Sequence, residues 1–456
     1  MESLKKIYLL FIFALLSACS GYQPKTLATQ SSLPEQIPRI QIDQQHQVAG
    51  LVPHSIDPAT GLDMDEVAMV VVLNNPDLKL ARDDANISRA QAFAAGLLPD
   101  PQLTVSTDLS NSGGPGTGKA YSVGLSYDIQ ALLTYHTNNA AAQADIKKTD
   151  LNLLWQEWQV VAQARLMYIK LTSAKKLQLV LESNRSMFAE RVNKLQVAFD
   201  KNLIANDAVL PDLSALQDVQ RQFNDVERQI NQNQHDLNAL LGLSPNAEVL
   251  LRDSAPLAEL DEATIVEKVN QLPQRRPDLQ ALQFGFDAQN QRYRAALLAQ
   301  FPSFNVGFTK ARDNAGIYSN GLGVTLSLPL LNRNRGNIAI EQATRDKLAD
   351  DYQQRLDSAN SDAHRLLVER RINARQLDDI QASLAKFNTM ANNADSAAQN
   401  NIVDTLIVTN AHITLLAKQI EVINLQQAML EQQVALLTLI GGDLPEQNQL
   451  HNLENK

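Results

Sequence analysis

The sequence predicts a mixed α and β membrane protein, with long helices continuing strands that several copies of the chain share. Three observations carry this reading: a short apolar run ending in a cysteine near the N-terminus, an internal repeat of roughly 200 residues, and period-two strand segments followed by very long helices in each repeat.

Lys5 and Lys6 precede an uncharged apolar run, Ile7 to Leu16. It is too short to span a bilayer and fits the core of a signal peptide over residues 1–18. Leu16-Ser17-Ala18-Cys19 resembles the bacterial lipobox, in which the cysteine is acylated and becomes the first mature residue. Cys19 is the only cysteine, so a single chain holds neither a disulfide nor a thiolate metal site. Several acyl chains on it suffice for stable anchoring in lipid, and Ser20 in the next position favours the outer membrane. Residues 19–60, with Pro24, Pro34, Pro38, Pro53 and Pro58, read as a lipidated tether without its own core. The formal net charge of −10 argues against nucleic acid as a partner. Beyond the N-terminus no segment has the uninterrupted apolar stretch of a transmembrane helix, so any crossing uses strands.

Asn75-Pro76-Asp77-Leu78 returns as Arg276-Pro277-Asp278-Leu279, and Leu98-Pro99 returns as Phe301-Pro302. Ala239-Leu240-Leu241-Gly242-Leu243 is echoed by Ala435-Leu436-Leu437 and Ile440-Gly441. The halves are residues 61–252 and 253–445, with a tail at 446–456. Each reads as helix, two strands, long helix, turn, helix. The opening helices span Met64 to Leu97 and Ile265 to Leu298, and Pro99, Pro101 and Pro302 stop them.

The strands form hairpins over 102–130 and 303–330. Tyr121, Val123, Leu125, Tyr127 and Ile129 alternate with small or polar residues, as do Phe304, Val306 and Phe308, and Leu322, Val324, Leu326, Leu328 and Leu330. Connections at Asn111 to Lys119 and Asp313 to Asn320 are rich in Gly, Ser and Asn. Half-buried hairpins packed on helices share this pattern. Four strands, however, cannot close a membrane barrel, whose smallest examples have about eight, and a sheet open in lipid leaves unpaired edges. The chain therefore contributes strands to a shared barrel. Leu133 to Phe199 contains neither Pro nor Gly and reaches on the order of 100 Å as a helix. It returns over Asp207 to Leu241, and the second half repeats this with Asn337 to Gln399 and Asp404 to Ile440. Helices alone fit a soluble coiled coil; beside membrane-type strands they continue the barrel as a tube.

Several motifs point to chemistry that their surroundings refuse. Gly113 to Lys119 matches most of a phosphate-binding loop, but Ala120 replaces the magnesium ligand and a strand follows. The histidines lie scattered, without metal-ligand spacing, and His235, His364 and His412 sit on helices as solvated or lumenal side chains. No catalytic constellation stands out, so the chain reads as a protein without enzymatic activity or cofactor.

Asn75-Pro76-Asp77-Leu78, Gly96 to Leu103, Arg275-Arg276-Pro277-Asp278-Leu279 and Phe301-Pro302-Ser303-Phe304, in order and duplicated, resemble the TolC-type outer membrane factors over residues 60 to 445. The resemblance implies a homotrimer: a roughly twelve-stranded barrel in outer-membrane lipid, continued by a helical periplasmic tunnel. It implies a passive exit duct working with a periplasmic adaptor and an inner-membrane pump. The same fold serves type I protein secretion. A lipoprotein scaffold built on coiled coil is the reading from another class.

The resemblance also places the periplasmic gate at the helix-hairpin tips, near 201–210 and 400–408. Asp404 matches the first of two acidic positions found in some members, whereas Ile407 occupies the second. Asp404 is thus a gate carboxylate, followed by an apolar constriction at Ile407, or simply a cap of the returning helix. Asp207 reads as a cap. Asn202 and Asn401 stand where glycine is common and tolerate the left-handed turn; with Asp207 they are candidates for adaptor docking. The Leu-Pro-Asp-Pro-Gln-Leu element leans toward the heavy-metal branch.

Overall fold

The structure is a computed structural model that describes residues 24–37, 40–41, 55–108, 118–252, 261–400 and 403–442. The expected signal peptide, Cys19, Asn401, most of the Gly-rich segment 113–119 and the tail 446–456 lie outside the described residues.

A short antiparallel pair, β1 (Ile40–Gln41) and β2 (Ser55–Ile56), precedes two helices, α1 (Met64–Asn74) and α2 (Pro76–Ala95). The sequence predicts one helix here, and the chain breaks it at Asn75. A residue before proline is pushed out of the helical region, and Asn75 sits at φ −59°, ψ 124°. Its side chain repairs the break on both sides. Oδ1 accepts from Leu78 N at 2.8 Å, and Nδ2 donates to Leu240 O at 2.9 Å. Asp63 and Glu66 close the start of α1 as a reciprocal capping box.

Strands β3 (Gln102–Asp108) and β4 (Ala120–Asp128) lead straight into α3 (Ile129–Asp200), 72 residues or about 110 Å long. Asp128 caps it through Gln130 N. The return helix is α4 (Leu210–Leu240). The second half begins with α5 (Glu262–Asn270), α6 (Leu272–Arg275) and α7 (Pro277–Leu298). The apolar stripe predicts a single helix here, but Pro273 and Pro277 each open a new one. Strands β5 (Ser303–Arg312) and β6 (Tyr318–Ser327) follow, then α8 (Arg335–Gln399) and α9 (Thr405–Leu439).

The second hairpin is tighter than the loop expected over Asp313 to Asn320. Asp313 Oδ1 accepts from Ile317 N at 2.9 Å, Gly316 takes φ +84°, and β6 already begins at Tyr318. It also ends early, at Ser327. Pro329 has no donor for the ladder, and a turn with Arg333 and Asn334 in the left-handed region starts α8.

The four strands form one antiparallel sheet in the order β3-β4-β5-β6. Register aligns Leu103, Leu125, Phe308 and Leu322 across the sheet, and Thr104, Gly124, Thr309 and Gly321 in the next row. Tyr127, Val306 and Val324 continue the first face, whereas Ser126, Gly307 and Gly323 continue the second. One face is apolar and the other small and polar, as alternation requires. The apolar face is bare: Leu103 and Leu322 are 68% and 77% exposed. Among the described residues β3 and β6 each leave one edge unpaired.

Helix α3 is the spine, packing on α1, α2, α4, α7 and α9. Three apolar clusters lie along it. The first joins Val67, Val70 and Val71 to Ile169, Leu171, Leu237 and Leu241. The second joins Ile265, Leu272 and Leu279 to Leu366 and Ile440. The third, toward the tips, holds Leu181, Phe188, Val219 and Leu416. Helix α9 is long and apolar enough to cross a membrane by length and composition, contrary to the expectation that no segment is. Hydropathy counts all faces alike, and α9 lies along α3, α4 and α8, burying Val408, Leu416, Val434 and Leu437.

The repeat is closed by matching clips. Gly242, after α4, takes φ +66°, and a Cβ there would lie 2.7 Å from Asn74 O. Gly441, after α9, takes φ +77°, with a Cβ 2.8 Å from Arg275 O. Arg275 does in the second half what Asn75 does in the first, donating to Ile440 O at 3.0 Å and Gly442 O at 2.9 Å. Gly242→Ala is therefore expected to cost about 1–3 kcal/mol, through the left-handed backbone and the clash together. Thermal unfolding of the detergent-solubilised protein by circular dichroism checks this.

Candidate functional site

The two helix-hairpin tips carry the residues that the sequence singles out. In the first, α3 ends at Asp200, and Asn202 takes φ +57°. Leu203 N then donates to Ala198 O at 2.9 Å, which uses a carbonyl left open at the helix end. A single 3₁₀ turn, Asn206–Ala208, follows. Asp207 lies in this turn and does not cap α4. Val209 occupies the cap position without a side-chain bond, and Pro211 sets the first helical turn beyond it.

In the second tip Asp404 is the N-cap of α9. Its Oδ1 accepts from Leu406 N at 3.3 Å and from Thr405 Oγ1 at 3.0 Å. The carboxylate remains exposed beside the positive end of the helix dipole. Ile407, one turn on, is 52% exposed and Leu406 is 47% exposed. The tips touch: Thr405 Oγ1 lies 3.4 Å from Ala208 O. The structure thus brings the first turn of α9, which Asp404 caps, to the 206–208 turn through Thr405.

Sequence reasoning missed a polar cluster behind the tips. Arg191 on α3 donates from Nε to Asp212 Oδ1 at 2.8 Å and from Nη2 to Asp212 Oδ2 at 3.1 Å. Asp212, on α4, is fully buried. The third nitrogen, Nη1, reaches Asp395 on α8 at 3.5 Å. His412 Nε2, on α9, lies 3.0 Å from both oxygens of Asp395. His412 is buried, not solvated or lumenal as its sequence suggests, because α9 packs it edge-to-face with Phe188, ring centroids 6.4 Å apart. His235 and His364 are exposed. Pairings across helices leave no local spacing signal, so only the hairpin geometry reveals the cluster.

Among the described residues no group of three or more His, Cys, Asp or Glu could hold a metal ion. What the arrangement offers is a shape: a sheet with one apolar face and two open edges, running directly into helices of about 100 Å that end in paired turns.

Known proteins share that shape. Residues 269–442 match the family model described as outer membrane efflux protein. The cation efflux system protein CusC of Escherichia coli O157:H7 is 23% identical over 393 residues, covering 81% of this chain and 84% of CusC. The probable outer membrane lipoprotein SilC of Salmonella typhimurium is 22% identical over 397 residues, covering 81% of this chain and 83% of SilC. The crystal structure of the Campylobacter jejuni CmeC outer membrane channel superposes with a TM-score of 0.75 at 16% identity, covering 95% of this chain and 97% of CmeC. That superposition shows a shared fold, a four-stranded sheet continued by long helices. With the family-model match on the second repeat and two relatives aligned through both, the chain is similar to the outer membrane efflux proteins.

Proposed function

We propose that this chain is the outer-membrane channel component of a tripartite efflux system. It is a passive exit duct for small molecules or ions and performs no chemistry on its cargo. The sheet carries this reading. Its bare apolar face suits lipid, its small polar face suits a lumen, and its two unpaired edges need copies of the same chain to close. Three copies, joined β6 to β3, give the trimer that the resemblance implies. Cys19 anchors the mature chain in outer-membrane lipid, and the residue 61–252 and 253–445 repeats each supply one hairpin and one helix pair. An inner-membrane pump supplies energy and a periplasmic adaptor meets the tips, with Asn202 and Asp207 among the docking candidates. The cation-efflux name carried by CusC favours ions as cargo.

Planar-bilayer conductance of the purified full-length protein tests the duct. Channels are expected, with cation preference near the tips. Asp404→Ala removes the cap and a carboxylate together. The cap alone costs about 1 kcal/mol of stability and leaves conductance unchanged. A gate carboxylate predicts wider channels or loss of divalent-cation block. No channel from folded protein overturns the duct and turns the reading to a coiled-coil scaffold. Protein-secretion exit ducts share the fold, and the genes beside this one, adaptor with pump or exporter, separate the two.

A further inference from the structure

The cluster behind the tips holds two carboxylates, one guanidinium and one imidazole. Its members come from all four long helices: Arg191 from α3, Asp212 from α4, Asp395 from α8 and His412 from α9. The contacts are unequal. Arg191 and Asp212 form a two-pronged pair inside the first hairpin, and His412 faces both oxygens of Asp395 inside the second. One longer contact, Arg191 Nη1 to Asp395 Oδ1 at 3.5 Å, joins the hairpins through this cluster.

With His412 neutral, Asp395 is a net negative charge whose cationic partner in the cluster is Arg191, across the hairpin boundary. Protonation gives Asp395 a cation on its own hairpin, held at 3.0 Å to both oxygens, and sets a second positive charge beside Arg191. Arg191 keeps Asp212 and loses its hold on Asp395. His412 is 10% and Arg191 20% exposed while Asp395 is 37% exposed, so these charges feel one another somewhat more strongly than fully solvated ones.

We propose that Arg191, Asp395 and His412 form a proton-set latch between the two helix hairpins, closed when His412 is neutral and released when it is charged. This rests on the duct reading and describes how its periplasmic end is regulated. Other charges near the latch are already engaged. Glu190 on α3 faces solvent with Lys194, whose ammonium holds it below the usual carboxylate range. On α9, Lys418 pairs with Glu421, and Asp404 caps the first turn. On α4 the nearest charge is Asp212 itself, and on α8 it is Asp395. Histidine is the side chain that changes charge in the pH range where these carboxylates stay ionised.

The test is single-channel recording of the reconstituted full-length protein at about pH 5.5 and about pH 8, bracketing histidine titration. Wild type is expected to show about fivefold higher open probability at the lower pH, the scale of one modest ion pair. His412→Gln keeps an amide donor but cannot charge, so it stays in the low-opening state at both values. His412→Arg is charged throughout and stays in the high-opening state. Every other ionisable group is common to all three proteins. A pH response in His412→Gln equal to that of wild type overturns the latch, and so does a wild-type response of opposite sign. If His412→Gln does not assemble, Asp395→Asn, which removes the shared carboxylate, must abolish the response instead. Absence of channels in every folded protein overturns the duct reading, a result distinct from channels whose opening ignores His412.

Discussion

Asp278→Ala is expected to destabilise the protein by about 3–5 kcal/mol, because it strands a guanidinium in the interior. Arg276 donates to Asp278 from Nε at 2.9 Å and from Nη2 at 2.6 Å, and both side chains are 8% exposed. The guanidinium lies over the Trp155 ring on α3, 4.7 Å from its centroid, so it cannot swing out to water without leaving that face. Arg355 on α8 approaches the same carboxylate at 3.7 Å. Removing Asp278 therefore leaves the buried Arg276 guanidinium against the Trp155 ring without its carboxylate, whereas Arg355 is 53% exposed and keeps its water. The double variant Arg276→Met with Asp278→Ala should recover most of the loss, since a removed pair costs less than a broken one. Thermal unfolding by circular dichroism in detergent compares the three proteins. Equal loss in single and double variants would mean that packing, not the stranded charge, sets the cost.

Phe188→Ala should cost a similar amount, about 3–5 kcal/mol, for a different reason. Phe188 is fully buried in the tip-proximal cluster with Leu181, Val219 and Leu416. Its removal opens a cavity among the side chains of α3, α4 and α9 that pack on it. Phe188→Leu should restore more than half of the loss, because it keeps most of the apolar volume. The same unfolding measurement reads both variants. An alanine variant as stable as wild type would show that the cluster relaxes freely.

What is legible in the sequence follows from the range of each signal. Strand alternation is a neighbour-to-neighbour pattern, so the two faces of β4, β5 and β6 can be read from the order of residues alone. The run without Pro or Gly marks α3 to within a few residues of its ends. The breaks at Asn75 and Arg276 are harder. Proline is visible, but a helical stripe running across it suggests continuity, and only the carbonyl clips from Asn75 and Arg275 show how the chain tolerates two helices in place of one. The latch is out of reach. Arg191 and Asp395 are 204 residues apart, and His412 meets Asp395 only because two helices turn back on each other. Asp404 reads equally as cap or gate, and its bond to Leu406 N establishes the cap while leaving the carboxylate exposed.

The unpaired edges of β3 and β6 have a genetic meaning. A ring closed edge to edge has no spare seam, so every copy must present both edges in working order. A chain that folds well but carries a blocked β6 edge would still join its neighbours through β3 and leave the ring unclosed. In a cell making normal and blocked chains together, the damage would exceed the fraction of blocked chains. Edge defects in this protein should therefore behave as dominant, whereas defects that unfold the chain before it meets its partners should behave as recessive.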